Sequence, residues 1–192
     1  MISGVQLVEY ILKEYGPLPQ KKLQKLAYLA EVEYIKMYGV RLSDLSFKRY
    51  YYGPYSTDIT NIEDLDDNII IREEASGNYI SKVSELINEE NVNPIDDDNI
   101  SQEIDAALLP YREKTGAELQ EEADKTQPFL ETENFNDPID LDGYAWYCSK
   151  VNSKEFWETA DRKEDENRKN DVYGKHIIKD DSELNTLFSQ VD

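Results

Sequence analysis

The sequence predicts a mostly helical α+β fold. We expect a compact helical domain with a small β-hairpin or sheet element, followed by a helical acidic C-terminal extension. Three observations lead there. Apolar residues recur at helical spacing through residues 1–38 and 99–123, between Gly and Pro stops. Two short segments, 46–56 and 69–83, are rich in Tyr or Ile and have the composition of strands. From about Asn134 the texture changes to loop, aromatic and charged stretches.

Val5, Val8, Ile11 and Leu12 repeat at helical spacing over Gly4–Tyr15, and Gly16-Pro17 closes that helix. Pro19 opens a second helix, where its missing N–H costs nothing. Leu23, Leu26, Ala27, Ala30, Tyr34 and either Tyr38 or Met37 form its stripe. Leu29, Val32 and Ile35 widen that stripe, so packing on two sides is expected, with Gly39 as the stop.

The stretch Phe47–Ser56, FKRYYYGPYS, reads as extended chain ended by Gly53-Pro54. By strand alternation Tyr50 and Tyr52 share a face, and Tyr51 lies opposite with Arg49. Some of Tyr50, Tyr51 and Tyr52 are expected to face the core; which face is inward stays open. Ile69–Arg72 and Tyr79–Val83 read as a hairpin turning near Ser76-Gly77-Asn78. The acidic, Pro-broken run 84–99 reads as a frayed helix and a loop.

Asn99 is a candidate cap for a helix carrying Ile100, Ile104, Ala107, Leu108 and Tyr111, which Pro110 kinks or stops early. Thr115 to Glu118 has the capping-box pattern, before a short helix with Leu119 and Ala123 that must stop before Pro128. Residues 134–151 read as a loop and then an aromatic segment. Ser153 is a candidate cap for a helix with Phe156, Trp157 and Ala160, and a last helix spans Ser182–Ser189. Domain limits follow: 1–133, and an acidic extension 134–192 expected to pack on it.

Charge is segregated. The 192-residue chain has a formal net charge of −20. Residues 1–60 hold eight basic and six acidic side chains, a surplus of two, so the remainder carries −22. A general nucleic-acid coat is excluded, because phosphate neutralisation needs clustered Lys and Arg. Basic partners are favoured by long-range steering. One cysteine allows no internal disulfide, and no apolar run reaches membrane-spanning length, so a cytoplasmic setting without a membrane span is expected. The amino-terminal stretch reads as an amphipathic helix rather than a signal peptide.

Catalytic chemistry finds little support. Zinc wants about four Cys or His ligands, and the chain offers only Cys148 and His176. An EF-hand reading of DPIDLDG fails: Pro138 takes the place of the first carboxylate and Ser149 that of the bidentate Glu. No nucleophile pairs with His176 on sequence grounds, and no glycine-rich phosphate loop occurs. No enzyme activity, metal or cofactor is expected. The tyrosine segment suits a protein-docking surface, since tyrosine brings large contact area with few rotors and a polar tip.

Two separated motifs resemble the Panacea domain of the SocA-like antitoxin family. The first is Lys22-Leu23-Gln24-Lys25-Leu26 with Tyr28, a helix ending at Tyr38-Gly39, and an aromatic segment ending in Gly53-Pro54. The second is Leu119 with Pro128 and Phe129, where Asp124 stands at the family's usual His and Phe129 at its usual Trp. The resemblance implies an α-rich domain with a small β element that neutralises a cognate toxin by direct protein contact. It also implies that the part beyond about residue 133 varies with the partner or supports the domain. Candidate partner-binding residues are Lys48, Arg49, Tyr50, Tyr51, Tyr52 and Tyr55, and a strongly acidic chain suits a basic toxin. The competing readings are a DNA-binding regulator using Lys21, Lys22, Lys25, Lys48 and Arg49, and an adaptor that delivers a partner to a protease. Oligomeric state stays open.

Overall fold

The computed structural model describes residues 1–76, 79–95 and 97–153. The expected helices beyond Ser153 and His176 lie outside the described residues. Among those described are seven α-helices and five short strands, a mostly helical α+β fold.

Helix α1, Gly4–Tyr15, starts on a capping box: Ser3 Oγ accepts from Gln6 N, and Ser3 N donates to Gln6 Oε1. It ends at Gly16, whose φ of 73° suits only a residue without Cβ strain. Strand β1 is the two residues Leu18–Pro19. Helix α2, Gln20–Tyr38, is the centre of the described fold. Every residue from Leu23 to Val32 is buried. The expected packing on more than one side is present, with α2 touching α1 and four later helices.

A helix buried this fully must pair its polar side chains. Glu31, wholly buried, accepts from Ser43 N, Ser43 Oγ, Leu42 N and Arg41 Nε. That network pins the loop after Gly39 back along α2.

The aromatic segment departs from expectation. Strands β2, Lys48–Tyr50, and β3, Gly53–Tyr55, form an antiparallel ribbon in which Tyr50 pairs with Gly53. The chain therefore reverses at Tyr51-Tyr52, and Gly53-Pro54 lies inside a strand rather than at the turn. Pro54 is tolerated there because its missing N–H falls in a short, edge-type pairing. After the four-residue helix α3, Thr57–Thr60, the hairpin β4 (Ile69–Ser76) and β5 (Tyr79–Leu86) forms as expected. Strand β5 runs to Leu86, so Ser84 to Leu86 finish a strand where a frayed helix was expected. β1 pairs with β5, giving sheet order β1-β5-β4.

Helix α4, Asp98–Leu108, is capped by Asp97, whose carboxylate accepts from Asn99 N, and not by Asn99. Pro110 ends it as expected, in a short 3-10 turn. Helix α5, Gly116–Asp124, carries the expected Thr115–Glu118 capping box. It stops at Asp124, and Pro128 sits in the first turn of a separate helix, α6 (Gln127–Glu131). Residues 141–151, expected as an aromatic segment, form helix α7, Leu141–Val151, with Asp140 capping Gly143 N. α7 packs against α2. None of the described helices is long and apolar enough to cross a membrane.

Candidate protein-docking surface

The ribbon β2–β3 has three residues per strand, too short to stand alone. It is held from three sides. From below, Gln24 on α2 reads the backbone of Ser56 in both directions: Nε2 donates to Ser56 O at 2.8 Å and Oε1 accepts from Ser56 N at 2.7 Å. Beside it, Lys25 Nζ donates to Pro54 O at 2.9 Å. Lys25 is only 6% exposed, and burial pulls its pKa down to about 8, against the opposing charge of Asp124. Tyr28, one turn further, packs edge-on against Phe47, and its hydroxyl shares a 2.7 Å hydrogen bond with Thr126 Oγ1. Burial pushes the Tyr28 phenol well above its ordinary range.

On the outer side of β2 runs the chain after α6. Arg49 N donates to Asp137 O, Asn136 N to Arg49 O, and Ile139 N to Phe47 O, at 2.7–2.9 Å. Asn136 adopts φ 67°, a left-handed conformation that asparagine tolerates. β2 is thus flanked on both sides and is not a free edge.

This cradle presents an aromatic face. Tyr50, Tyr51 and Tyr52 are 40%, 74% and 61% exposed, so none of the three is core. The expectation that some face inward is corrected. The ribbon turns at Tyr51-Tyr52, which leaves those rings outside, and Phe47, Gly53 and Pro54 fill the inward positions instead. Phe135 joins the tyrosines, stacked on Tyr51 at 4.1 Å and tilted on Tyr50 at 4.8 Å between ring centroids. Tyr50 also meets the half-buried Tyr55 at 5.2 Å. Lys21 Nζ lies 5.1 Å from the Tyr52 ring centre, a cation–π contact at the rim.

The two basic candidates diverge. Lys48 is exposed beside the tyrosines. Arg49 is half-buried and points away: Nη1 donates to Phe129 O at 2.6 Å, and its guanidinium lies 4.4 Å from the Phe129 ring centre. Phe129 is buried against it.

The motif residues are therefore scaffold. Leu23, Leu26 and Leu119 are core, and Pro128 is buried with Phe129. Lys22 is half-buried. Gly39, at φ 68°, caps α2 and lies against Ser149 of α7. Sequence reasoning missed Phe135 as part of the face. A lone Phe between two asparagines has no periodicity to mark it; its exposure among polar residues was the one available signal.

The family model for the antitoxin SocA-like, Panacea domain matches residues 23–134, and no curated protein and no solved structure matches the chain. That span runs from the buried stripe of α2, through the ribbon that Gln24 and Lys25 hold, to the Phe129 brace and the start of the strap carrying Phe135. The chain belongs to the SocA-like antitoxin family, as a Panacea-domain protein.

Proposed function

We propose that this protein is a non-catalytic antitoxin that neutralises a cognate toxin by direct contact through the face formed by Tyr50, Tyr51, Tyr52, Tyr55 and Phe135. The observation that carries this reading is the exposure of stacked aromatic rings on a rigidly braced ribbon. Apolar rings left in water cost free energy that docking recovers, and a braced ribbon loses little entropy when it binds. Aromatic side chains are the commonest energetic anchors of protein interfaces. The net charge of −20 supports a basic partner, steered and oriented electrostatically.

The DNA-binding reading loses ground on geometry. Lys25 is spent on Pro54 O inside the protein and Arg49 on Phe129, so neither is available to phosphates. No feature of the described residues favours the adaptor reading over neutralisation.

Co-expression with the adjacent open reading frame tests the proposal. The expected result is a neighbour toxic alone, harmless with this protein, and co-purifying with it, with binding weakened by salt. A neighbour that is harmless alone and does not co-purify overturns it.

A further inference from the structure

Beneath the aromatic face, one carboxylate oxygen stands out. Asp124 Oδ1 is buried and accepts no hydrogen bond, while Oδ2 receives only a long 3.5 Å contact from Gln120 Nε2. A buried carboxylate oxygen left this way is costly unless a charge nearby compensates. Lys25 supplies that charge across a gap filled by Gly53. A Cβ on Gly53 would lie 3.1 Å from Asp124 Oδ1, 3.3 Å from Lys25 Nζ and 3.0 Å from Lys25 Cε. The strand can settle onto both side chains only because that position is glycine, here with φ 87°.

We propose that Lys25 and Asp124 are positioning residues for the aromatic face: the Lys25 ammonium clamps β3 at Pro54 O, and Asp124 keeps that ammonium charged. The functional meaning rests on the docking reading above, but the clamp itself is observable without a partner. The charged form matters because an ammonium–carbonyl hydrogen bond is roughly twice as strong as a neutral one. Burial works against the ammonium and so does Lys21 on the same helix; Asp124 on α5 is the charge that favours it, while β3 offers a carbonyl. With a pKa near 8, Lys25 stays mostly charged at neutral pH by a narrow margin. Losing Asp124 would remove that margin.

The test uses the full chain and two NMR readouts: titration of the Lys25 side-chain Cε resonance, and amide-exchange protection of Lys48–Tyr55 against that of α4. In Asp124→Asn the Lys25 midpoint should fall by about one pH unit, a tenfold change in acidity, with ribbon protection falling about tenfold at neutral pH and α4 unaffected. Lys25→Met should lower ribbon protection similarly. If Lys25→Met does not fold, the near-isosteric Asp124→Asn still decides. An unmoved Lys25 midpoint in Asp124→Asn, or ribbon protection equal to wild type in either folded variant, overturns the clamp. Toxin binding separates the two ideas. A Tyr51→Ala variant that binds normally sinks the docking reading and leaves the clamp standing. An Asp124→Asn variant with an unchanged ribbon sinks the clamp alone.

Discussion

Arg49 and Phe129 lock the two halves of the cradle under the aromatic face together, with the guanidinium over the ring and Nη1 bonded to the Phe129 carbonyl at 2.6 Å. They are 80 residues apart in sequence. The contact ties the tyrosine ribbon to α6, directly before the strap that brings in Phe135.

Arg49→Ala should therefore cost stability, about 1–3 kcal/mol, by removing a cation–π contact and a charged hydrogen bond at once. Arg49→Lys should recover only part of that loss, because a point charge neither stacks like a guanidinium nor reaches the carbonyl in the same plane. Urea denaturation of the two variants measures this. Equal stability of Arg49→Lys and wild type would show that charge alone suffices.

Tyr51 should behave in the opposite way. It is 74% exposed, so Tyr51→Ala should shift stability by no more than about 0.5 kcal/mol. Its loss should still weaken toxin binding by about 2 kcal/mol or more, as expected of a central aromatic anchor. Phe135→Ala should do the same, and the double variant should lose less than the sum, since the two rings stack at 4.1 Å. Calorimetric titration with the purified toxin gives all three values.

What the sequence reveals follows the range of the forces involved. Helices α1, α2 and α5 are legible because their signals are local: the apolar stripes of α1 and α2 with Gly16 and Gly39 as their stops, and Thr115 with Glu118 at the start of α5. The ribbon turn is not legible. Gly53-Pro54 carries the usual turn chemistry, yet its place in β3 is set by Gln24 and Lys25, 29 or more residues away. Strand alternation failed for the tyrosines because β2 ends at Tyr50, which leaves Tyr51 and Tyr52 in the turn, where the two-faced rule does not apply. Helix α7 was hidden by Gly143 and four aromatic or β-branched residues, all weak helix formers, that tertiary packing overrides.

Gly39→Ala probes how α7 is seated. The position has φ 68°, and a Cβ would come within 2.6 Å of Ser149 Cα, a backbone atom that cannot swing away. Left-handed strain alone costs about 1–2 kcal/mol. The clash should add to it by pushing α7 off the C-terminal end of α2. The expected outcome is a clear loss of thermal stability together with faster amide exchange across Leu141–Val151. If exchange in α7 is unchanged, the helix tolerates the shift and only the strain remains.

Glu9 makes a pH-dependent prediction. It is fully buried on α1, accepts from Asn93 N at 2.8 Å and Asn93 Nδ2 at 2.9 Å, and faces the carboxyl of Asp66. Burial raises its pKa above the ordinary 4.5, the Asn93 bonds lower it, and Asp66 raises it further. Asp66 Oδ2 is itself buried and accepts no hydrogen bond, so a proton on Glu9 would satisfy both acids. A raised folded-state pKa means that the native protein holds this proton more tightly than the unfolded chain. The resulting stabilisation is complete below pH 4.5 and is lost as pH rises through the folded-state value. Glu9→Gln carries its hydrogens at every pH: it can donate to Asp66 and still accept from Asn93. The wild-type stability minus that of Glu9→Gln should therefore fall as pH rises from about 4.5 towards neutrality, with the variant at least as stable as wild type at pH ~7. Parallel melting curves across that range would mean that the two carboxyls share no proton.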